Sequence, residues 1–162
     1  MQLASIRPKQ PINCIILSFH PIMFTQQLML NGFRFKDIIM SRYEKGKEVL
    51  EGIQERPLEE IFGAIDDIAP DMARFVVEFP YSEIYTRPEV DLKTRELCTV
   101  AALTVLGTIP QLKDHIGAAL NVGNSPTEIV EIIMQMSAYA GFPKAINGIV
   151  AAKEVFEDKN LL

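Results

Sequence analysis

After residue 40, apolar residues recur at three- and four-residue spacing, and no stretch alternates apolar and polar positions over four or more residues. The pattern predicts an all-α protein, an antiparallel bundle of about six or seven helices joined by short loops. Ser41-Arg-Tyr-Glu44 reads as a capping box opening a helix that runs to about Glu55, with Tyr43, Val49, Leu50 and Ile53 inward. Pro57 suits the first turn of a second helix, Leu58–Ile68. Asp71 is placed to cap a third, in which Met72, Phe75, Val76 and Phe79 form one stripe that Pro80 should kink or end. Tyr81–Arg87 would continue it as a turn or a last helical piece, up to the break at Pro88.

Asp91 caps the fourth helix, Leu92–Leu106, and Gly107 ends it. Pro110 opens a fifth, which Gly123 ends. Ser125-Pro-Thr-Glu128 is a second capping box, and the sixth helix runs to Ala140 before Gly141. Pro143 opens a seventh, reaching about Asp158 with Ile146, Ile149, Val150 and Phe156 on one face. Leu97–Leu106 is apolar nearly all round, and Ile129–Met136 has only Glu131 and Gln135 as polar positions. Helices apolar on every side are buried on every side, and a chain this short hardly covers two of them. Homo-oligomerisation is the expected remedy.

The first 39 residues differ. They hold four of the sixteen Lys and Arg and one of the twenty-one Asp and Glu, so they carry +3 of a formal net charge of −5. The apolar run Ile12–Phe19 follows Arg7 and Lys9 but is interrupted by His20-Pro21, and it falls short of the ~20 apolar residues of a membrane span. Residues 1–39 are read as a poorly structured extension, with Met40 as an alternative start. A short docking helix around Thr25–Phe33 is the other reading. Residues 40–162 form the helical domain.

Composition narrows the function classes. The acidic balance and the lack of a basic patch argue against nucleic acid or a membrane surface as partner. Cys14 and Cys98 form no C-x-x-C pair and no metal-ligand spacing, and Cys98 in its apolar run reads as a small buried hydrophobe. A reducing, cytoplasmic setting fits this cysteine usage.

Two residues stand where apolar ones are expected. Glu96 shares an arc of the fourth helix with Leu92, Val100 and Leu103. A buried carboxylate needs a partner or a proton. It is either salt-bridged, to Arg95, Arg87 or a neighbouring subunit, or a tuned acid or base in a cleft. His115 lies at the edge of the stripe made by Leu112, Ile116 and Ala119, and is either a satisfied core residue or a catalyst. At ~1.5 Å per residue, a simple hairpin would leave the two offset by about 8 Å along the axis. A direct bond would need a tilted crossing, a bridging water or a second subunit. Tyr85, Arg87, Arg95, Tyr139 and Lys144 are weaker candidates, each with an ordinary surface or hydrogen-bonding role as the alternative.

The segments RYEKGKEVL (42–50), EFPYSEIYTRP (78–88), and DLKTREL, AALTVLG, QLKDHIGAALNVG and EIVEIIMQMSAYAGFPKAIN in that order resemble the carboxymuconolactone decarboxylase family, over about residues 42–157. The resemblance implies an all-α, alkylhydroperoxidase D-like fold, assembled as a hexamer or trimer with sites near subunit interfaces. One branch of the family resembles alkylhydroperoxidase D, with a glutamate, a C-x-x-C pair and a histidine. Its pattern falls on Glu96, Thr108, Gln111 and His115, so both thiols are missing and a peroxiredoxin-type route lacks its nucleophile and its resolving partner. The other branch decarboxylates 4-carboxymuconolactone without metal or organic cofactor. On that branch the resemblance implies His115 as proton donor, Glu96 as its orienter, and Arg87, Arg95 and Tyr139 as substrate-binding residues. A thiol oxidoreductase and a non-catalytic helical scaffold are the rival classes.

Overall fold

The computed structural model describes residues 40–162, and the readings made of residues 1–39 lie outside it. Among the described residues every regular element is helical. In chain order these are α1 (Arg42–Gln54), α2 (Leu58–Phe62), α3 (Pro70–Val76), a π-helical stretch (Val77–Ile84), α4 (Leu92–Leu106), α5 (Ile109–Asn121), α6 (Pro126–Gln135), α7 (Ser137–Ala140) and α8 (Phe142–Asp158).

Local signals placed the starts of α1, α4 and α6. Ser41 and Glu44 form the capping box of α1, and Ser125 and Glu128 that of α6. Asp91 accepts from the Thr94 amide at 2.7 Å to start α4. Gly107 closes α4 at φ +80°, a left-handed conformation that suits a residue without Cβ.

Two hydrophobic clusters meet on α5. Val100, Leu112, Ile116, Ala119, Ile129, Ile133 and Phe156 join α4, α5, α6 and α8 in the first. Leu50, Ile53, Leu58, Val77, Tyr81 and Ala118 join α1, α2 and the π-helical stretch to the other side of α5. Gly46 makes the second cluster possible. A Cβ there would sit 2.0 Å from the Val77 carbonyl oxygen, so α1 and the π-helical stretch touch backbone to backbone.

Several expectations are corrected. The second helix stops at Phe62, and turns carry the chain from Gly63 to Ile68, which is 80% exposed. Gly63 and the acids Asp66 and Asp67 are weak helix formers there. The third helix is started by Pro70 at its first position, with Ala69 rather than Asp71 as N-cap. Pro80 does not end the helical run. Proline cannot donate to the preceding turn, and the helix widens instead, with the Tyr85 amide reaching back five residues to the Pro80 carbonyl at 2.9 Å. The widened turns bring Val77, Tyr81 and Ser82 inward and leave Met72, Phe75 and Phe79 exposed. The sixth helix is broken at Met136, with α7 as its remainder. On α8 the small residues Ala145, Gly148, Ala151 and Ala152 face the core together with Phe156, while Ile146 and Val150 are exposed. Cys98 is exposed, not buried. No helix among the described residues is long and apolar enough to cross a membrane.

Candidate active site

Glu96 and His115 meet directly within one protomer. His115 Nδ1 lies 2.8 Å from Glu96 Oε2. A simple hairpin would leave them offset along the axis, yet the two side chains meet where α4 and α5 pack together. The Glu96 side chain is wholly buried, and the His115 side chain is 17% exposed. The acid therefore stands behind the imidazole. With Nδ1 engaged, Nε2 is the nitrogen left for chemistry. The expected salt bridge from Glu96 to Arg95 or Arg87 is not formed; the partner is His115.

Two tyrosines stand close enough to the pair to feel the Glu96 charge. The π-helical stretch sets Tyr81 and Tyr85 ring against ring, with centroids 4.8 Å apart and planes tilted by 39°. The Tyr85 hydroxyl lies 3.0 Å from Thr99 Oγ1, on the turn of α4 that follows Glu96. Burial first, then the nearby Glu96 charge, pushes the Tyr85 phenol above its usual range. Burial followed by the charges of Tyr85 and Glu96 does the same to Tyr81. Both rings thus stay protonated donors. Glu96 Oε1 is buried without a hydrogen-bond partner among the described residues.

The other expected residues are distributed differently. Arg95 stitches the loop before α4, donating from Nε to the Val90 carbonyl and from Nη2 to the Arg87 carbonyl, both at 3.1 Å. Arg87 is largely exposed, with Glu89 3.7 Å away. Lys144 donates to the Val105 carbonyl near the end of α4. Tyr139 is 76% exposed on α7, which packs chiefly on α6 and α8, so the protomer does not bring it to the pair. Among the described residues no cluster of three or more His, Cys, Asp or Glu side chains is placed to hold a metal ion. Tyr81 and Thr99 were missed as neighbours of the pair. The signal available for Tyr81 was its four-residue spacing from Tyr85 after an intrahelical proline.

The profile of the Carboxymuconolactone decarboxylase family matches residues 70–154, which contain both members of the pair. A 4-carboxymuconolactone decarboxylase of Acinetobacter baylyi is 34% identical over 118 residues, covering 72% of this chain and 88% of the relative. The chain belongs to the carboxymuconolactone decarboxylase family. Within this decarboxylase-like family it is also similar to an uncharacterized 15.0 kDa protein of Paracoccus denitrificans, 28% identical over 78% of this chain and 96% of the relative. A nitrosuccinic acid decarboxylase of Metarhizium robertsii is 25% identical over 51% of this chain and 58% of its own length.

Proposed function

We propose that the protein is a carboxy-lyase that removes a carboxylate from a small unsaturated lactone of the 4-carboxymuconolactone type, with His115 delivering the proton. The observation that carries this reading is the direct His115–Glu96 bond, with the acid wholly buried and the imidazole reaching the surface. The names of two relatives, one acting on 4-carboxymuconolactone and one on nitrosuccinic acid, support decarboxylation as the reaction class.

The step needs no electron acceptor beyond the substrate. The bond between the ring carbon and the carboxylate breaks, CO2 leaves, and the electron pair spreads into the conjugated lactone as an enolate. Protonated His115 gives its Nε2 hydrogen to that carbon framework and is reprotonated from solvent. Glu96 holds Nδ1–H, so the imidazolium is oriented and its charge stabilised while the enolate forms. Arg87, largely exposed, and Arg95, which reaches back to the loop before α4, serve in this reading as the clamp for the substrate carboxylates. Tyr139 enters this reading only as a residue contributed by a neighbouring subunit.

The reading includes a homo-oligomer, a trimer or hexamer. Met134, Phe142, Ile146, Ile149 and Val150 line an apolar groove of about 340 Å³, and leaving so many large apolar side chains in water is unfavourable. Ile146→Glu should dissociate the assembly in light scattering, and an unchanged mass would remove this face from the interface.

The test of the reaction is CO2 release from 4-carboxymuconolactone by the wild type, His115→Ala and Cys98→Ser. Turnover lost in the histidine variant and kept in the cysteine variant supports the carboxy-lyase. Loss on Cys98→Ser alone would instead favour thiol chemistry.

A further inference from the structure

The orphaned oxygen of Glu96 is the one feature of the site that its chemistry leaves unexplained. Oε2 is occupied by His115, whereas Oε1 is buried with no donor among the described residues. A buried carboxylate oxygen in that state is costly, and native structures rarely leave one. A donor stands close by. Tyr85 reaches Thr99 Oγ1 at 3.0 Å, and Thr99 lies three residues after Glu96, on the same side of α4.

The hydrogen count decides which way that donor turns. Thr99 Oγ1 also lies 3.0 Å from the Arg95 carbonyl, so Thr99 can donate there and accept from Tyr85. Glu96 Oε1 is then left bare. The Arg95 carbonyl, however, already takes part in the backbone ladder of α4 and does not need the hydroxyl. If Thr99 turns its hydrogen to Tyr85 Oη, the phenol is free to donate to Glu96 Oε1 once a small rotation of either side chain closes the gap between them. Each hydroxyl then still donates one bond, and a neutral acceptor has been exchanged for a charged one, which makes the stronger bond.

We propose that Tyr85 is a positioning residue of the site, donating its phenolic hydrogen to Glu96 Oε1 and thereby fixing the plane of the carboxylate that holds His115 Nδ1–H. This rests on the role given to His115 above. The phenol holds one carboxylate oxygen and the imidazole the other, so the carboxylate plane cannot rotate and Nε2 stays outward. The widened turn at Pro80 serves the same end, because it is the π-helical register that delivers Tyr85 to this height on α4. Burial and the adjacent Glu96 charge keep the phenol protonated, so the donor persists throughout the neutral range.

The test is the Nδ1–H bond of His115, read from the 15N shifts of Nδ1 and Nε2 in the full-length protein and assigned against His115→Ala. It requires no substrate. In the wild type the neutral imidazole should carry its hydrogen on Nδ1. Tyr85→Phe should weaken the Nδ1–H bond to Glu96, moving the Nδ1 shift toward that of a free imidazole, and lower kcat about tenfold or more, the size of one charge-assisted bond, with KM within about twofold. Thr99→Val removes the hydroxyl but leaves Tyr85 its acceptor on Glu96, and should keep both the Nδ1 shift and kcat. An unchanged Nδ1 shift in Tyr85→Phe, or equal loss in both variants, would overturn the proposal. If Tyr85→Phe does not fold, neutron diffraction of the wild type decides the point. A Tyr85 deuterium directed at Glu96 supports the proposal, and one directed at Thr99 overturns it. Lack of turnover on 4-carboxymuconolactone would sink the reaction assigned above and leave the shift comparison standing.

Discussion

Replacing His115 by alanine should destabilise the fold as well as abolish turnover. The variant leaves a wholly buried carboxylate stripped of its imidazole partner at Oε2. Removing one partner of a buried ion pair costs about 3–5 kcal/mol. His115 is 17% exposed, so the vacated space opens toward solvent and water can rehydrate part of the carboxylate. The lower end, about 3 kcal/mol, is therefore expected, roughly two powers of ten in the folding equilibrium. The assay is urea unfolding at fixed protomer concentration, because assembly would otherwise shift the midpoint. The double variant Glu96→Leu/His115→Ala removes the stranded charge and should recover about half of the loss. A cost below about 1 kcal/mol for His115→Ala, with no recovery in the double variant, would refute the coupling, because it would leave the pair worth no more than a surface contact.

Two further predictions concern the frame. Gly46→Ala places a methyl group 2.0 Å from the Val77 carbonyl oxygen, which cannot move without breaking the π-helical stretch, so a loss of about 3 kcal/mol or more is expected in the same unfolding assay. Glu44, Asp91 and Glu128 sit at helix starts, where bonds from backbone amides, those of Ser41, Thr94 and Ser125 respectively, are the largest cause holding each carboxylate below its ordinary value. A depressed folded-state value means that the stabilisation is present above the unfolded values of 3.8 for Asp and 4.5 for Glu and is lost as pH falls through the folded ones. Glu128→Gln should lower Tm at pH 7 and converge on the wild type in acid, and a gap independent of pH would contradict this.

What the sequence revealed followed the range of the interactions involved. Capping boxes act over three residues, so Ser41–Glu44 and Ser125–Glu128 were legible and both are present. Glu96 and His115 were each visible as a polar residue on an apolar helix face. Their contact was not, because hairpin arithmetic contains no crossing angle. Pro80 misled for a related reason. Proline reads as a terminator when only the α-helical ladder is considered, and here a widened turn absorbs it beside the close approach of α1 at Gly46. The stripe of Met72, Phe75 and Phe79 lies on the surface of the protomer. Periodicity marks an apolar face without saying whether the same chain covers it. Arg95 shows the converse: a cation beside the acid was one expected partner for it, and its guanidinium instead holds two loop carbonyls.

The most direct test of the central claim is release of CO2 from 4-carboxymuconolactone by the purified full-length protein beside a His115→Gln variant of verified fold and assembly. The account predicts steady turnover in the wild type and a loss of about a hundredfold or more in the variant. Turnover that survives the substitution would remove His115 as proton donor, and a wild type that releases no CO2 would contradict the assigned reaction.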